Sequence, residues 1–205
     1  MSDFTYQSIA TEAALEEYEW DNVWWEKTSV RGVPRALYIG DSISCAIRRT
    51  ATALSENAIL FDGIGTSKAP DNPCLFDTVR LFASQMAEKP TYVLYNCGLH
   101  GWHLDSEEYK TYYEGVIRFL ISEFPSARLY LVLTTSVSSS DTEERVKERN
   151  RVVSMLANTY DLELIDLYTP TSEHPEMLSP DGVHYLKEGC EMMAQRILEE
   201  IAKSK

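Results

Sequence analysis

The chain has 205 residues, 44% of them apolar and 25% charged, the proportions of an ordinary folded domain rather than a disordered or membrane-embedded chain. Lys and Arg total 19 against 32 Asp and Glu, so the formal charge of −13 repels phosphate backbones and anionic lipid and argues against nucleic-acid and membrane partners. Met1–Ala14 carries no basic start followed by an apolar run, so no secretory leader is expected there, and no stretch reaches the ~20 apolar residues of a membrane span.

Cys45, Cys74, Cys97 and Cys190 are scattered and form no CxxC pair. They read as buried free thiols of a reducing compartment, which gives a cytoplasmic expectation. The expectation is one domain over residues 1–205, with residues 1–33 as an N-terminal arm or capping helix. Tyr18, Trp20, Trp24 and Trp25 lie in that arm among acids, suited to core packing or to an aromatic wall for a sugar.

From Arg35 a regular alternation begins. Arg35–Gly40 is a short apolar strand, and Ser42–Leu54 is the next element, a helix with Ile43, Ala46, Ile47 and Leu54 on one side. Ala58–Phe61 is a second strand closed by Asp62-Gly-Ile-Gly65, and Leu75–Ala87 is helical. Thr91–Asn96 is a third strand closed by Cys97-Gly98, and Ser106–Phe124 a long helix. Ala127–Thr134 is a fourth strand, Thr142–Tyr160 a charged helix, Leu162–Asp166 a fifth strand and Leu186–Ala202 the last helix. Strands alternating with helices predict a three-layer α/β/α fold around a five-stranded, mostly parallel sheet, with its site beyond the carboxyl ends of the strands.

Two segments at those ends carry chemistry. Gly40-Asp41-Ser42 sets a serine at a helix N-terminus, where unpaired N–H groups and the helix dipole favour a developing oxyanion. Taken alone, the tripeptide is equally a helix cap. Ser179-Pro-Asp-Gly-Val-His184 places Asp181 three residues before His184 across a glycine turn, the spacing at which a carboxylate orients an imidazole. Alone, it also reads as a turn before a capped helix. Together they supply a nucleophile, a base and an orienting acid. His100 and His103 lie close in sequence, but they follow a strand end and no HExxH-type motif accompanies them, so no metal is expected.

From about Arg35 onward the sequence resembles the SGNH (GDSL-like) hydrolases. Their first block is Gly-Asp-Ser, here Gly40-Asp41-Ser42, and their last is Asp-x-x-His, here Asp181-Gly-Val-His184. The resemblance implies a flavodoxin-like fold and a catalytic trio of Ser42, His184 and Asp181. It also implies an oxyanion hole built from the N–H of Ser42 and a glycine after the second strand, Gly65 or alternatively Gly63. The third block, Gly-x-Asn-Asp in the family, departs: the chain reads Asn96-Cys-Gly98-Leu-His100-Gly101, similar to a branch with Asn-x-Gly-Leu-His. His100 then takes the place of the donor Asn, with Asn96 as the alternative. Asp41, Trp102 and His103 are the expected substrate contacts.

The resemblance implies ester hydrolysis without a metal or organic cofactor. The lack of a long apolar run near the site and Trp102, a ring able to stack on a sugar, point to short acyl esters, acetyl above all, on a carbohydrate or other small molecule. One alternative is an acyltransferase, which uses the same residues. Another is a non-catalytic carbohydrate-binding or scaffold protein of the same fold, motivated by the altered third block and the tryptophan-rich start.

Overall fold

A computed structural model describes Leu15 and residues 18–203. Residues 1–14, 16 and 17 of the expected N-terminal arm lie outside the described residues. The first element of the described chain is a strand rather than a helix: β1, Asp21–Trp24. The rest alternates as expected, with β2 Arg35–Gly40, α1 Ser42–Leu54, β3 Leu60–Thr66 and α2 Leu75–Ala83. Then come β4 Tyr92–Tyr95, α3 Ser106–Glu123, β5 Arg128–Val132, α4 Ser140–Tyr160 and β6 Glu163–Ile165. A short helix α5, Tyr168–Glu173, and a single 3₁₀ turn, Pro175–Met177, precede the closing helix α6, Lys187–Lys203. No helix among the described residues is long and apolar enough to cross a membrane.

The sheet has six strands in the order β1-β3-β2-β4-β5-β6. The five strands from β2 to β6 are parallel, as the sequence predicts, and β1 adds an antiparallel edge against β3. Period-two alternation splits the side chains between two cores. Leu37, Ile39, Val93, Tyr95, Leu129 and Leu131 face α2, α3 and α4, whose Val79, Tyr113 and Val153 complete that layer. Ala36, Tyr38, Leu94, Tyr130 and Val132 face α1 and α6 through Ile47, Ala51, Met193 and Ile197.

β3 extends through residues that read as its closing turn. Asp62, Gly63 and Gly65 are ladder residues because strands on both sides supply partners, β2 on one edge and β1 on the other. The Asp62 carboxylate is neutralised by Arg35, with Arg35 Nη1 2.9 and 2.8 Å from its two oxygens and both side chains 1% exposed. The same guanidinium donates to the carbonyls of Glu26, Lys27 and Val30, and Asp62 Oδ1 accepts the Glu26 N–H at 2.8 Å. One buried ion pair thus fastens the chain between β1 and β2 onto the sheet.

The four cysteines are unpaired, but only Cys97 and Cys190 are buried; Cys45 is partly exposed and Cys74 exposed. The expectation of four buried thiols holds for two of them.

The Arg35–Asp62 pair generates a stability prediction. Asp62→Ala leaves a buried guanidinium without its counter-charge and is expected to cost about 3–5 kcal/mol, read as a lowered urea midpoint. A loss below about 1 kcal/mol would mean that the carbonyls alone satisfy Arg35.

Candidate active site

Chain order reverses at β2: β3 lies on one side of it and β4 on the other. The connections leaving β2 and β4 therefore part company, and a crevice opens between them at the carboxyl ends. Gly40 ends β2 where a side chain would come within 3.0 Å of Ser44 Cβ and 3.5 Å of the Asn96 carbonyl, so the two strand ends approach closely. Asp41 caps α1, its Oδ1 accepting the Ile43 N–H at 2.9 Å, and Ser42 is the first helical residue.

The expectation that Asp41 contacts substrate is not met. Its side chain is buried, 1% exposed, and serves as the cap instead. Burial raises its carboxyl above the usual range, opposed by the nearby His100 and His184 and by the backbone N–H groups it accepts.

The opposite wall is the turn at Ser179–His184. Ser179 N donates to His184 O at 2.8 Å and Gly182 N to Ser179 O at 2.9 Å. Gly182 has φ +74°, and a methyl group there would lie 1.9 Å from Ser138 Oγ, so the turn admits glycine alone. Ser138 N donates to Gly182 O at 2.9 Å and the Tyr185 hydroxyl to Ser136 O at 2.7 Å, tying the turn to the loop after β5.

Within this turn, Asp181 Oδ1 accepts the N–H groups of Val183 and His184, each at 2.9 Å, and Oδ2 lies 2.8 Å from His184 Nδ1. These contacts, the Val183 N–H foremost, hold the Asp181 carboxyl well below the usual carboxylate range. His184 Nε2 lies 2.8 Å from Ser42 Oγ, across 142 residues of sequence. Ser42, His184 and Asp181 form one continuous hydrogen-bonded line.

The remaining expected residues divide. Gly65 and Gly63 are not free donors. Ser67 N donates to Trp20 O, and the alternation of an antiparallel ladder makes Asn22–Gly65 and Trp24–Gly63 the next hydrogen-bonded pairs, so both N–H groups point at β1. Their missing side chains make room for α1: a Cβ at Gly65 would lie 2.2 Å from Cys45 Sγ, and one at Gly63 2.6 Å from Arg48 Cδ. Asn96 is also committed, its amide donating to Val132 O at 2.8 Å and Thr134 Oγ1 at 3.0 Å.

His100 does reach the site, close enough to Asp41 to act on its carboxyl, with Trp20 edge-on to the ring at 6.1 Å. Trp102 does not offer a bare ring: the guanidiniums of Arg149 and Arg145 sit 4.2 and 4.8 Å from its centre. His103 turns to Asp71, with Nε2 2.8 Å from Oδ2. No group of three or more His, Cys, Asp or Glu among the described residues is placed to hold a metal ion.

Trp20, read as core packing or as part of an aromatic wall, stands beside His100 and Gly65 because β1 carries it along the sheet edge. One feature escaped sequence reasoning. Arg149 and Asn150 face inward from α4, beneath the loop after β4. That signal was present: Val146, Arg149, Asn150 and Val153 fall on one buried stripe of α4 at helical spacing, with two polar residues where apolar ones belong.

Neither a family model nor a curated protein sequence matches the chain. Solved structures do. A lipolytic G-D-S-L family protein from Veillonella parvula matches with a TM-score of 0.67 at 19% identity, over 82% of this chain and 97% of that one. A lipase/acylhydrolase from Enterococcus faecalis matches with 0.63 at 21% identity, over 84% and 97%. An acetyl xylan esterase matches with 0.60 at 17% identity, over 82% and 99%. Through the parallel sheet, its strand order and these matches, the chain has the fold of the GDSL-like (SGNH) hydrolases.

Proposed function

We propose that this protein is a serine ester hydrolase working through an acyl-enzyme, with Ser42 as nucleophile, His184 as general base and Asp181 as the orienting carboxylate. One observation carries the reading: Ser42 Oγ, the His184 ring and the Asp181 carboxylate are joined by two contacts of 2.8 Å at the end of a parallel sheet.

Neutral His184 takes the Ser42 proton as Oγ attacks the ester carbonyl. Asp181, kept ionised by its N–H donors, holds Nδ1 protonated and stabilises the imidazolium that forms. The oxyanion meets the Ser42 N–H, one of the first-turn amides of α1 that lack a helical acceptor, and a ring N–H of His100 from the facing loop. His184 then protonates the departing alcohol. Water, deprotonated by the same ring, attacks the acyl carbonyl and releases the acid and free Ser42. The His184 and Asp181 side chains are about half exposed, 46% and 52%, which favours water over a second alcohol as the acyl acceptor.

The substrate of this reading is a short acyl ester, acetyl first, on a carbohydrate. Likeness in fold to an acetyl xylan esterase supports it, as does the partly exposed Trp20 ring beside His100, a face on which a sugar can stack.

The test is a panel of p-nitrophenyl esters of rising chain length beside acetylated xylan, with Ser42→Ala as control. Turnover is expected to be greatest for acetate and to vanish in Ser42→Ala without change in circular dichroism or unfolding midpoint. A folded Ser42→Ala protein with parental activity would remove Ser42 from the role. Preference for long acyl chains, with no acetate released from xylan, would overturn the substrate and keep the hydrolase.

Activity is expected to rise with pH in one step, since only neutral His184 accepts a proton. The depressed Asp181 carboxyl is ionised throughout the range in which an imidazole titrates, so it adds no second inflection. Activity undiminished at about pH 4, two units or more below an ordinary imidazole, would exclude His184 as base.

His100→Ala is expected to lower kcat by roughly 10²–10³-fold, the usual effect of losing one oxyanion donor. An unchanged kcat in that variant would move the donor elsewhere.

A further inference from the structure

The loop after β4 presents its carbonyls in one direction. The Tyr109 hydroxyl of α3 donates to Cys97 O at 2.6 Å. Arg149 Nη1 donates to Gly98 O at 3.0 Å and His100 O at 2.7 Å, and Nη2 to Gly101 O at 2.6 Å. Arg145 Nη2 continues the series at Trp102 O, 2.6 Å. In a trans peptide the N–H points opposite to the carbonyl, so binding the carbonyls toward α3 and α4 turns the intervening N–H groups away from those helices.

Arg149 is the centre of this arrangement. It is 4% exposed and forms no ion pair with a carboxylate among the described residues. Its charge is satisfied by three carbonyl dipoles and by the faces of Trp102 and Tyr109, at 4.2 and 4.5 Å. Its neighbour Asn150 brackets the Thr134 backbone, accepting its N–H and donating to its carbonyl, each at 2.8 Å. Thr134 in turn lies against Gly98, where a methyl group would come within 1.6 Å of its hydroxyl. Two adjacent residues of α4 thereby lock the ends of β4 and β5 together directly beneath His100.

We propose that Arg149 is a positioning residue of the site. By fixing the peptides from Gly98 to Gly101 it sets the place of the His100 ring and the direction of the loop's N–H groups relative to Ser42. The guanidinium geometry is required because one planar group must serve three acceptors at once; an ammonium presents no such fork. This inference rests on the hydrolase reading for its kinetic arm only.

The test compares Arg149→Met and Arg149→Lys with the parent, after counting reactive Ser42 by titration with a fluorophosphonate. Per titrated site, Arg149→Met is expected to lose roughly 10²-fold in kcat for p-nitrophenyl acetate with KM changed less than about threefold, and Arg149→Lys to fall between it and the parent. A second arm follows the ring signals of the histidines by NMR. The His100 signals move in Arg149→Met, while those of His184, held by its own turn, stay in place. If kcat per titrated site remains within about twofold of the parent and the His100 signals do not move, Arg149 serves stability alone and the proposal is overturned. If the parent itself turns over no ester, the hydrolase reading fails, and the NMR arm by itself decides whether Arg149 positions His100.

Discussion

The reversal of strand order at β2 is the constraint on which the site depends. A parallel strand must be joined to the next by a crossover, and the two crossovers that leave β2 and β4 cover opposite faces of the sheet, α1 on one and α3 on the other. The space above the strand ends stays open between them, so the side chains that stand there face one another. Ser42 arrives from β2, His100 from β4, and His184 from the turn before α6, which packs beside α1 on the same face. Three segments distant in sequence converge because the sheet leaves them one place to do so.

Convergence sets the neighbourhood, and hydrogen bonds set the angstroms. The Asp181–His184 dyad is half exposed, yet its geometry is held by main-chain bonds inside a glycine turn and by Ser138 and Tyr185 outside it. It needs no buried charge to stay in line. The facing loop is held differently, by a buried guanidinium. Stripping an ion of water costs several kcal/mol unless its donors are met, so Arg149 is stable only while the loop carbonyls remain on it. Loop order and the burial of Arg149 are one equilibrium, and the same logic binds Arg35 to Asp62 at the other edge of the sheet.

The departures from the family pattern have physical causes. Glycines at 63 and 65 suit a motif that needs backbone close to substrate, but here they lie under Arg48 and Cys45 of α1 and give their N–H groups to β1. The added edge strand thus removes the amides that the pattern assigns to the oxyanion. Asn96 is bound to Val132 and Thr134, and the side chain of the β4 loop that lies near Asp41 is His100.

Much of this was legible beforehand. Arg35–Gly40, Thr91–Asn96 and Ala127–Thr134 are short apolar runs between amphipathic helices, and local periodicity determines such elements and their parallel arrangement. The places of Ser42, Asp181 and His184 were legible because each is set by local geometry, a helix start and a three-residue turn. β1 was not, because Asp21–Trp24 has no strand pattern of its own; it is extended because the free edge of β3 offers it hydrogen bonds. The fate of Gly63 and Gly65, of Asn96 and of the Trp102 ring turned on which partner each met, Asn22, Val132 or Arg149. Sequence alone determined which residues could do chemistry at the strand ends. Tertiary structure decided which of them are committed elsewhere, as Gly63, Gly65 and Asn96 are, because a donor already satisfied by a neighbour has none left for a substrate.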